Sequence, residues 1–217
     1  MAAVSIRSRL FALVYDRQMA AVELAGLSAR REALLSPARG HVLEIGAGTG
    51  ANLPFYGPAV ESLTLTEPEL SMLRRLAVRA AELAPQATVV RAAAETLPFA
   101  DSSFDVAVST LVLCGVRDQP GALRELRRVL RPGGSLIFIE HVRANDPRLA
   151  RRQDRLNRLN RFVAGCECNR PTLASIRAEG FDVTEVEHSN LGRAPSFVRP
   201  LIAGVATSGS YFSITKL

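Results

Sequence analysis

The sequence predicts a single α/β domain in which a mostly parallel sheet carries helices on both faces. Three observations predict it. Short apolar runs recur with helical stretches between them, the first run feeds a glycine cluster, and no linker, repeat or low-complexity tract divides the chain. Strand, helix, strand at that spacing implies crossovers between parallel neighbours, and strands buried on both faces read as continuous apolar runs. At 217 residues, 47% hydrophobic and 22% charged, the chain can build one core and falls outside the collagen-like, disordered and disulfide-scaffold classes.

Residues 5–35 are rich in Ala, Leu, Arg and Glu, with Leu10, Phe11, Val14 and Met19 near one helical face, and predict one or two leading helices. After Pro37 and Gly40, His41-Val42-Leu43-Glu44-Ile45 reads as a buried strand entering a tight turn. Further strands are predicted at residues 63–66, 88–90, 104–108 and 135–139, separated by helices over 69–83 and 120–130. Pro132-Gly133-Gly134 is expected to end the second of those helices. The last third predicts helices over 147–163 and 171–178, then an antiparallel hairpin from the apolar-rich runs at 181–186 and 198–206.

Lys+Arg 27 against Asp+Glu 21 gives a net charge of +6, nearly all of it arginine, since Lys216 is the only lysine. Arginine keeps its proton, so nucleic acid, phospholipid and acidic substrates all remain open as partners on charge alone. Cys114, Cys166 and Cys168 are odd in number with no export signal, which predicts reduced thiols and a cytoplasmic protein. The apolar run at residues 10–15 stops at Asp16 and is too short for a signal-peptide core or a membrane span.

The most informative segment is Glu44-Ile45-Gly46-Ala47-Gly48-Thr49-Gly50-Ala51-Asn52. Glycines two apart between a strand and a helix let the backbone turn sharply and approach a ligand closely. The spacing is G-x-G-x-G, unlike the dinucleotide G-x-G-x-x-G, and Glu44 precedes it where a carboxylate repels pyrophosphate and attracts an ammonium. Glu67, about 20 residues on at the end of the second strand, stands where an acid accepts ribose hydroxyls. Ribose and amine together indicate S-adenosylmethionine.

With Val42–Asn52, Thr66-Glu67-Pro68, Ala94-Glu95-Thr96-Leu97-Pro98-Phe99, Ser103-Phe104-Asp105 and Leu130-Arg131-Pro132-Gly133-Gly134, the sequence resembles the class I S-adenosylmethionine-dependent methyltransferases over most of its length. The resemblance implies a Rossmann-like seven-stranded sheet, mostly parallel, with helices on both faces and an antiparallel C-terminal strand. It implies S-adenosyl-L-methionine as cofactor and S-adenosyl-L-homocysteine as product. The expected cofactor-binding residues are Glu44, Gly46, Ala47, Gly48, Gly50, Asn52, Glu67, Pro68, Ala94, Glu95 and Thr110. The amino acid moiety is expected near Glu44 and Gly46, ribose on Glu67 and adenine near Ala94-Glu95. Many relatives carry Asp where this chain has Ala93, so adenine must be held by Glu95 or by backbone amides. Residues 1–217 are then one domain, with a helical lid over 1–38, a cofactor-binding core over 39–145, and substrate-side helices with the closing hairpin over 146–217.

Gly50-Ala51-Asn52-Leu53-Pro54-Phe55-Tyr56, Ser109-Thr110-Leu111-Val112-Leu113-Cys114, Glu140-His141-Val142, Gly165-Cys166 with Asn169-Arg170, and Val198-Arg199-Pro200 look like the small thiol methyltransferase-like group. That likeness implies S-methylation of small alkyl or aryl thiols, in detoxification or natural-product tailoring. Animal members of the group carry an N-terminal membrane anchor, and the apolar run here is too short to match it. The alternatives are O-, N- or C-methylation of a small natural product, quinone or lipid head group, and a noncatalytic S-adenosylmethionine-binding regulator. A nucleic-acid substrate is disfavoured, because Ser109-Thr110-Leu111-Val112 lacks the Pro-Pro-aromatic clamp of base-methylating relatives.

Transfer from a sulfonium asks the protein to align, desolvate and deprotonate the acceptor. His141, at the C-terminal end of the fifth strand, is the expected general base. Tyr15, Asp16, Cys114, Arg143, Asn169 and Arg199 are the expected substrate-side residues. Cys166-x-Cys168 lacks a second Cys/His pair, so no metal is expected. Arg143, Arg148, Arg151, Arg152, Arg155, Arg158 and Arg161 oppose a stripe of Leu149, Leu156, Leu159 and Val163. That helix reads as a solvated face, with a lid for anionic substrates or peripheral contact with anionic lipid as alternatives. Oligomeric state is left open.

Overall fold

The computed structural model describes residues 17 and 19–209. The expected lid residues Tyr15 and Asp16 lie outside the described residues. In chain order the elements are helix α1 (Ser28–Leu35), strand β1 (Gly40–Ile45), β2 (Val60–Thr66), α2 (Leu70–Leu83), β3 (Thr88–Val90), β4 (Phe104–Thr110), α3 (Gln119–Val129), β5 (Leu130–His141), α4 (Pro147–Ala164), α5 (Thr172–Ala178), β6 (Phe181–Asn190) and β7 (Pro200–Ser208). A π-helical turn, Glu23–Leu27, leads into α1 and is kinked at Gly26.

The seven strands form one sheet in the order β3-β2-β1-β4-β5-β7-β6. β7 runs antiparallel to both β5 and β6, and the remaining pairings are parallel. The seven-stranded, mostly parallel sheet therefore matches expectation. Strand order reverses between β1 and β4, and in open α/β sheets ligands bind beyond the C-terminal strand ends at that switch.

Burial on both faces explains the apolar runs. Within β1, Leu43 and Ile45 join a core layer with Leu123 and Leu126 of α3, whereas Val42 joins Leu76 and Ala80 of α2 on the other face. β4 repeats the division, with Ala107 on the α3 side and Val106 and Val108 on the α2 side. Val22 and Leu27 of the leading segment pack with Ile139, Leu201 and Ala203, covering β5 and β7.

Each long helix starts on an acid. Glu69 accepts from the amides of Ser71 and Met72 at α2, Asp118 from Gly121 at α3, and Asp146 from Leu149 at α4. The end of α3 differs from expectation in its cause. α3 stops at Val129, and Pro132-Gly133-Gly134 lies inside the irregular start of β5 rather than at the helix end. The reason is tertiary: Ser102 and Ser103 donate to the carbonyls of Arg128 and Val129, and Leu130 pairs with Phe104 of β4.

Candidate active site

The turn after β1 is shaped by two glycines with different surroundings. Gly46 has φ 54°, and a Cβ there would lie 2.7 Å from the Val112 side chain. Gly48 has φ 58°, and nothing lies within 4 Å of where its Cβ would be. Gly46 thus packs against the loop that follows β4, while Gly48 opens bare backbone onto free space. Gly48 N donates to Glu67 Oε2 at 3.0 Å and Glu69 N donates to Glu67 Oε1 at 2.9 Å. Burial pushes the Glu67 carboxyl up, and those two amides pull against it.

Glu44 lies buried at the base of the turn. Its Oε1 accepts from Asn52 Nδ2 at 3.0 Å and its Oε2 from Tyr56 Oη at 2.6 Å. Asn52 Nδ2 also donates to Thr110 Oγ1 at 3.1 Å, and Asn52 Oδ1 accepts from Arg31 Nη1 at 2.6 Å. Arg31 is itself buried and ion-paired to Glu23 at 2.9 Å. Burial pushes the Glu44 carboxyl up, while the Tyr56 hydroxyl and the Arg31 charge favour its ionised form. The leading helix, the glycine turn and the end of β4 are therefore joined through one amide, that of Asn52. Sequence reasoning missed Arg31, which carries no mark among the many arginines. Tyr56 was visible only as part of the Gly50–Tyr56 stretch.

On the far side of the switch point, β4 ends at Thr110 and Leu111 takes φ 59°, an unusual conformation for a non-glycine residue. Glu140, fully buried, receives the loop that follows: Oε1 accepts from Ser109 Oγ at 2.7 Å and from the amides of Val112 and Leu113 at 3.0 Å each, and Oε2 from Cys114 N at 3.3 Å. Burial pushes the Glu140 carboxyl up. The sequence signal for this role is a lone carboxylate closing an apolar strand.

His141 Nδ1 lies 3.7 Å from Cys114 Sγ and 3.2 Å from Cys166 Sγ. His141 Nε2 is buried and has no hydrogen-bond partner among the described residues. A hydrogen bond to Cys166 and burial push the Cys114 thiol well above the ordinary thiol range. Cys168 is buried and outside this cluster, its thiol pushed up to about 11 by burial. The structure therefore pairs Cys166 with Cys114, a residue remote in sequence, and not with Cys168.

Other expected residues are held within the fold. Glu95 Oε1 accepts from the amides of Arg117 at 2.8 Å and Asp118 at 3.4 Å. Ala94 is buried in the loop after β3, and Pro68 O accepts from Arg91 Nε at 3.2 Å. Arg143 and Asn169 both donate to Asp154, and Arg143 and Asn169 together hold that carboxyl down at about 2. Arg199 Nε donates to Ala194 O at 2.8 Å. α4 turns its arginines to solvent as expected, yet Leu159, Phe162 and Val163 are exposed too. Its anchor is Gln153, whose Nε2 reaches the carbonyls of Val142, Cys168 and Phe197. No helix among the described residues is long and apolar enough to cross a membrane.

Comparison with known proteins places this geometry. The methyltransferase domain family model matches residues 43–138. Over 211 residues, 90% of this chain and 82% of its counterpart, the sequence is 33% identical to human thiol S-methyltransferase TMT1A. Over 104 residues, 46% of this chain and 42% of its counterpart, it is 44% identical to human thiol S-methyltransferase TMT1B. Among solved structures, a S-adenosylmethionine-dependent methyltransferase of Thermotoga maritima, described as a possible histamine N-methyltransferase, superposes with a TM-score of 0.66 at 26% identity, covering 92% of this chain and 97% of that one.

Proposed function

This chain belongs to the family of S-adenosylmethionine-dependent methyltransferases, and on that premise we propose that its methyl acceptor is the sulfur of a small thiol. S-adenosylmethionine, when bound, would supply an electrophilic methyl carbon on a sulfonium, with a neutral thioether as the leaving group for an attacking thiolate.

The residues present fit that cofactor. Gly48 leaves open space where a side chain would block close approach, and each Glu67 oxygen accepts one amide, leaving lone pairs for two ribose hydroxyls. Glu44 places a carboxylate beneath the turn, oriented by Asn52 and Tyr56, where it attracts an ammonium. Glu95 accepts the amides of Arg117 and Asp118 through Oε1 alone, so its Oε2 and the backbone groups near Ala94 are both assigned to adenine. Tyr56, Asn52 and Arg31 keep these groups in place.

The thiol reading rests on what stands past the ends of β4 and β5. Glu140, the carboxylate that closes β5, is taken up by four donors, and beside it stand the His141 imidazole and the thiols of Cys114 and Cys166. A thiol with pKa about 8.5 becomes a thiolate at neutral pH with modest help, whereas a hydroxyl needs a far stronger base. The identity with human thiol S-methyltransferase TMT1A over 90% of this chain supports the same acceptor.

The test is a panel of alkyl and aryl thiols, phenols, amines and quinols incubated with the chain and S-adenosylmethionine, with methylated products read by mass spectrometry. Methyl thioethers should form, with the other acceptors at least about a hundredfold slower. Methylation of phenols, amines or quinols alone would overturn the thiol assignment.

Glu67 also predicts a pH dependence. Only its ionised form accepts from both ribose hydroxyls without spending an oxygen as a donor, so cofactor binding favours the carboxylate. Affinity is then complete above the Glu67 pKa of the free chain and falls below it, by up to about tenfold per pH unit. Burial pushes that carboxyl above the ordinary glutamate range, so the loss begins at milder acidity than for an exposed glutamate. Calorimetric titration with S-adenosylhomocysteine across acidic pH measures it, and constant affinity down to pH 4.5 would count against the ribose role.

A further inference from the structure

We propose that Cys114, His141 and Cys166 bind one zinc ion, leaving a fourth position open for the sulfur of the acceptor thiol. The inference rests on the thiol reading above for the identity of that fourth ligand, and on the geometry of the cluster for the site itself.

The ligand atoms of the three residues all lie within 4.8 Å of one another. With Zn–S about 2.3 Å and Zn–N about 2.0 Å at a tetrahedral angle, a ligand sulfur and a ligand nitrogen stand about 3.5 Å apart. The two sulfur-to-Nδ1 separations, 3.7 Å and 3.2 Å, bracket that value. Two thiols and an imidazole form a soft donor set suited to zinc, and three protein ligands with an open fourth position are the pattern of catalytic rather than structural zinc.

The three residues are held from different directions. Glu140 fixes the Cys114 amide, Glu167 N donates to Cys114 O at 2.8 Å, and Asn160 Nδ2 donates to Cys166 O at 2.7 Å. A Cβ on Gly115 would come within 3.1 Å of Gly165 O, so the two cysteine-bearing loops lie against each other. Thr172 Oγ1 donates to His141 O at 3.3 Å.

The site lies beside the cofactor turn, since Val112 of the same loop packs on Gly46 and Thr110 binds Asn52. Coordination converts the acceptor from RSH to RS⁻, its proton passing to solvent, and keeps the sulfur lone pair directed by a fixed loop. Methylation then turns a thiolate ligand into a neutral thioether, which holds zinc weakly and departs.

The test uses the full chain purified with a phosphine reductant and loaded with Zn2+ or Co2+, metal content being read by mass spectrometry and the cobalt form by absorbance. We expect about one metal per chain and thiolate-to-cobalt charge-transfer bands. Cys114→Ala and Cys166→Ala should each weaken binding at least about a hundredfold, more than losing an outer partner costs. Cys168→Ala should bind as the parent chain does, and S-adenosylhomocysteine affinity by calorimetry reports whether each variant is folded. Adding 2-mercaptoethanol to the cobalt form should shift the bands as the open position fills. A parent chain that retains neither metal, binding that survives both replacements, or bands indifferent to 2-mercaptoethanol would each overturn the proposal. Thiol methylation at full rate by chelator-treated, metal-free protein would remove the ion while leaving the thiol reading intact. Methylation of non-thiol acceptors alone by a zinc-loaded chain would do the reverse.

Discussion

Glu67→Ala should lower affinity for S-adenosylhomocysteine by at least about a hundredfold. Two hydroxyl hydrogen bonds to one carboxylate are worth about 1.5–3 kcal/mol each, and the loss of about 3 kcal/mol in all is roughly two decades in Kd. The side chain has a second task, because it also accepts Gly48 N and Glu69 N and so joins the glycine turn to the start of α2. Alanine frees both amides next to the open space at Gly48, where water can satisfy them, so the fold should survive while the ligand is lost. Glu67→Gln does not separate the tasks, since its amide nitrogen would face one N–H or the other. Calorimetry on Glu67→Ala, with circular dichroism as the folding control, checks the expectation, and an unchanged Kd would remove Glu67 from the ribose.

Glu140→Gln is the second large effect, and it should appear in turnover and stability together. Glutamine matches the shape of glutamate but offers one acceptor oxygen and one donor nitrogen. If the oxygen keeps Ser109, Val112 and Leu113, the nitrogen meets Cys114 N, donor against donor. The reverse orientation is worse. A buried donor left unmatched costs about 1–3 kcal/mol, which for a domain of this size lowers Tm by roughly 2–12 °C. Leu111, held at φ 59°, depends on the same anchor, so the loop carrying Cys114 should move. As a positioning residue, Glu140 acts on kcat, with cofactor affinity changed far less because Glu44 and Glu67 are untouched. Melting curves and steady-state kinetics test this. Unaltered stability and unaltered kcat would mean that water or loop rearrangement replaces the carboxylate.

The glycine turn and its two acids were legible because their signals are local. Gly46, Gly48 and Gly50 in a short run between an apolar strand and a helix constrain the backbone by themselves, and Glu67 follows at the end of the next strand. Residues that act by reaching across the fold were not legible in the same way. Gln153 sits in a run of arginines and reads as one more polar helix residue, yet it is buried and holds three carbonyls. Arg31 is equally unmarked, and its burial becomes intelligible only through Asn52 and Glu44. The α3 boundary shows the same limit. Pro132-Gly133-Gly134 is a proper local stop signal, and pairing between Phe104 and Leu130 ends the helix sooner.

The sequence by itself determined the α/β class, the sheet with its antiparallel closure and the cofactor, and it marked Glu44 and Glu67 beside the glycine turn, because apolar period and turn chemistry act between near neighbours in the chain. Only the tertiary structure decided what His141 works with. Cys114 and Cys166 are separated by the whole of α3, β5 and α4, and the parallel pairing of β4 with β5, the bond from Glu167 N to Cys114 O and the Gly115 to Gly165 approach bring both thiols to one imidazole. Contacts between distant segments depend on how layers pack, and that information is spread over the entire core.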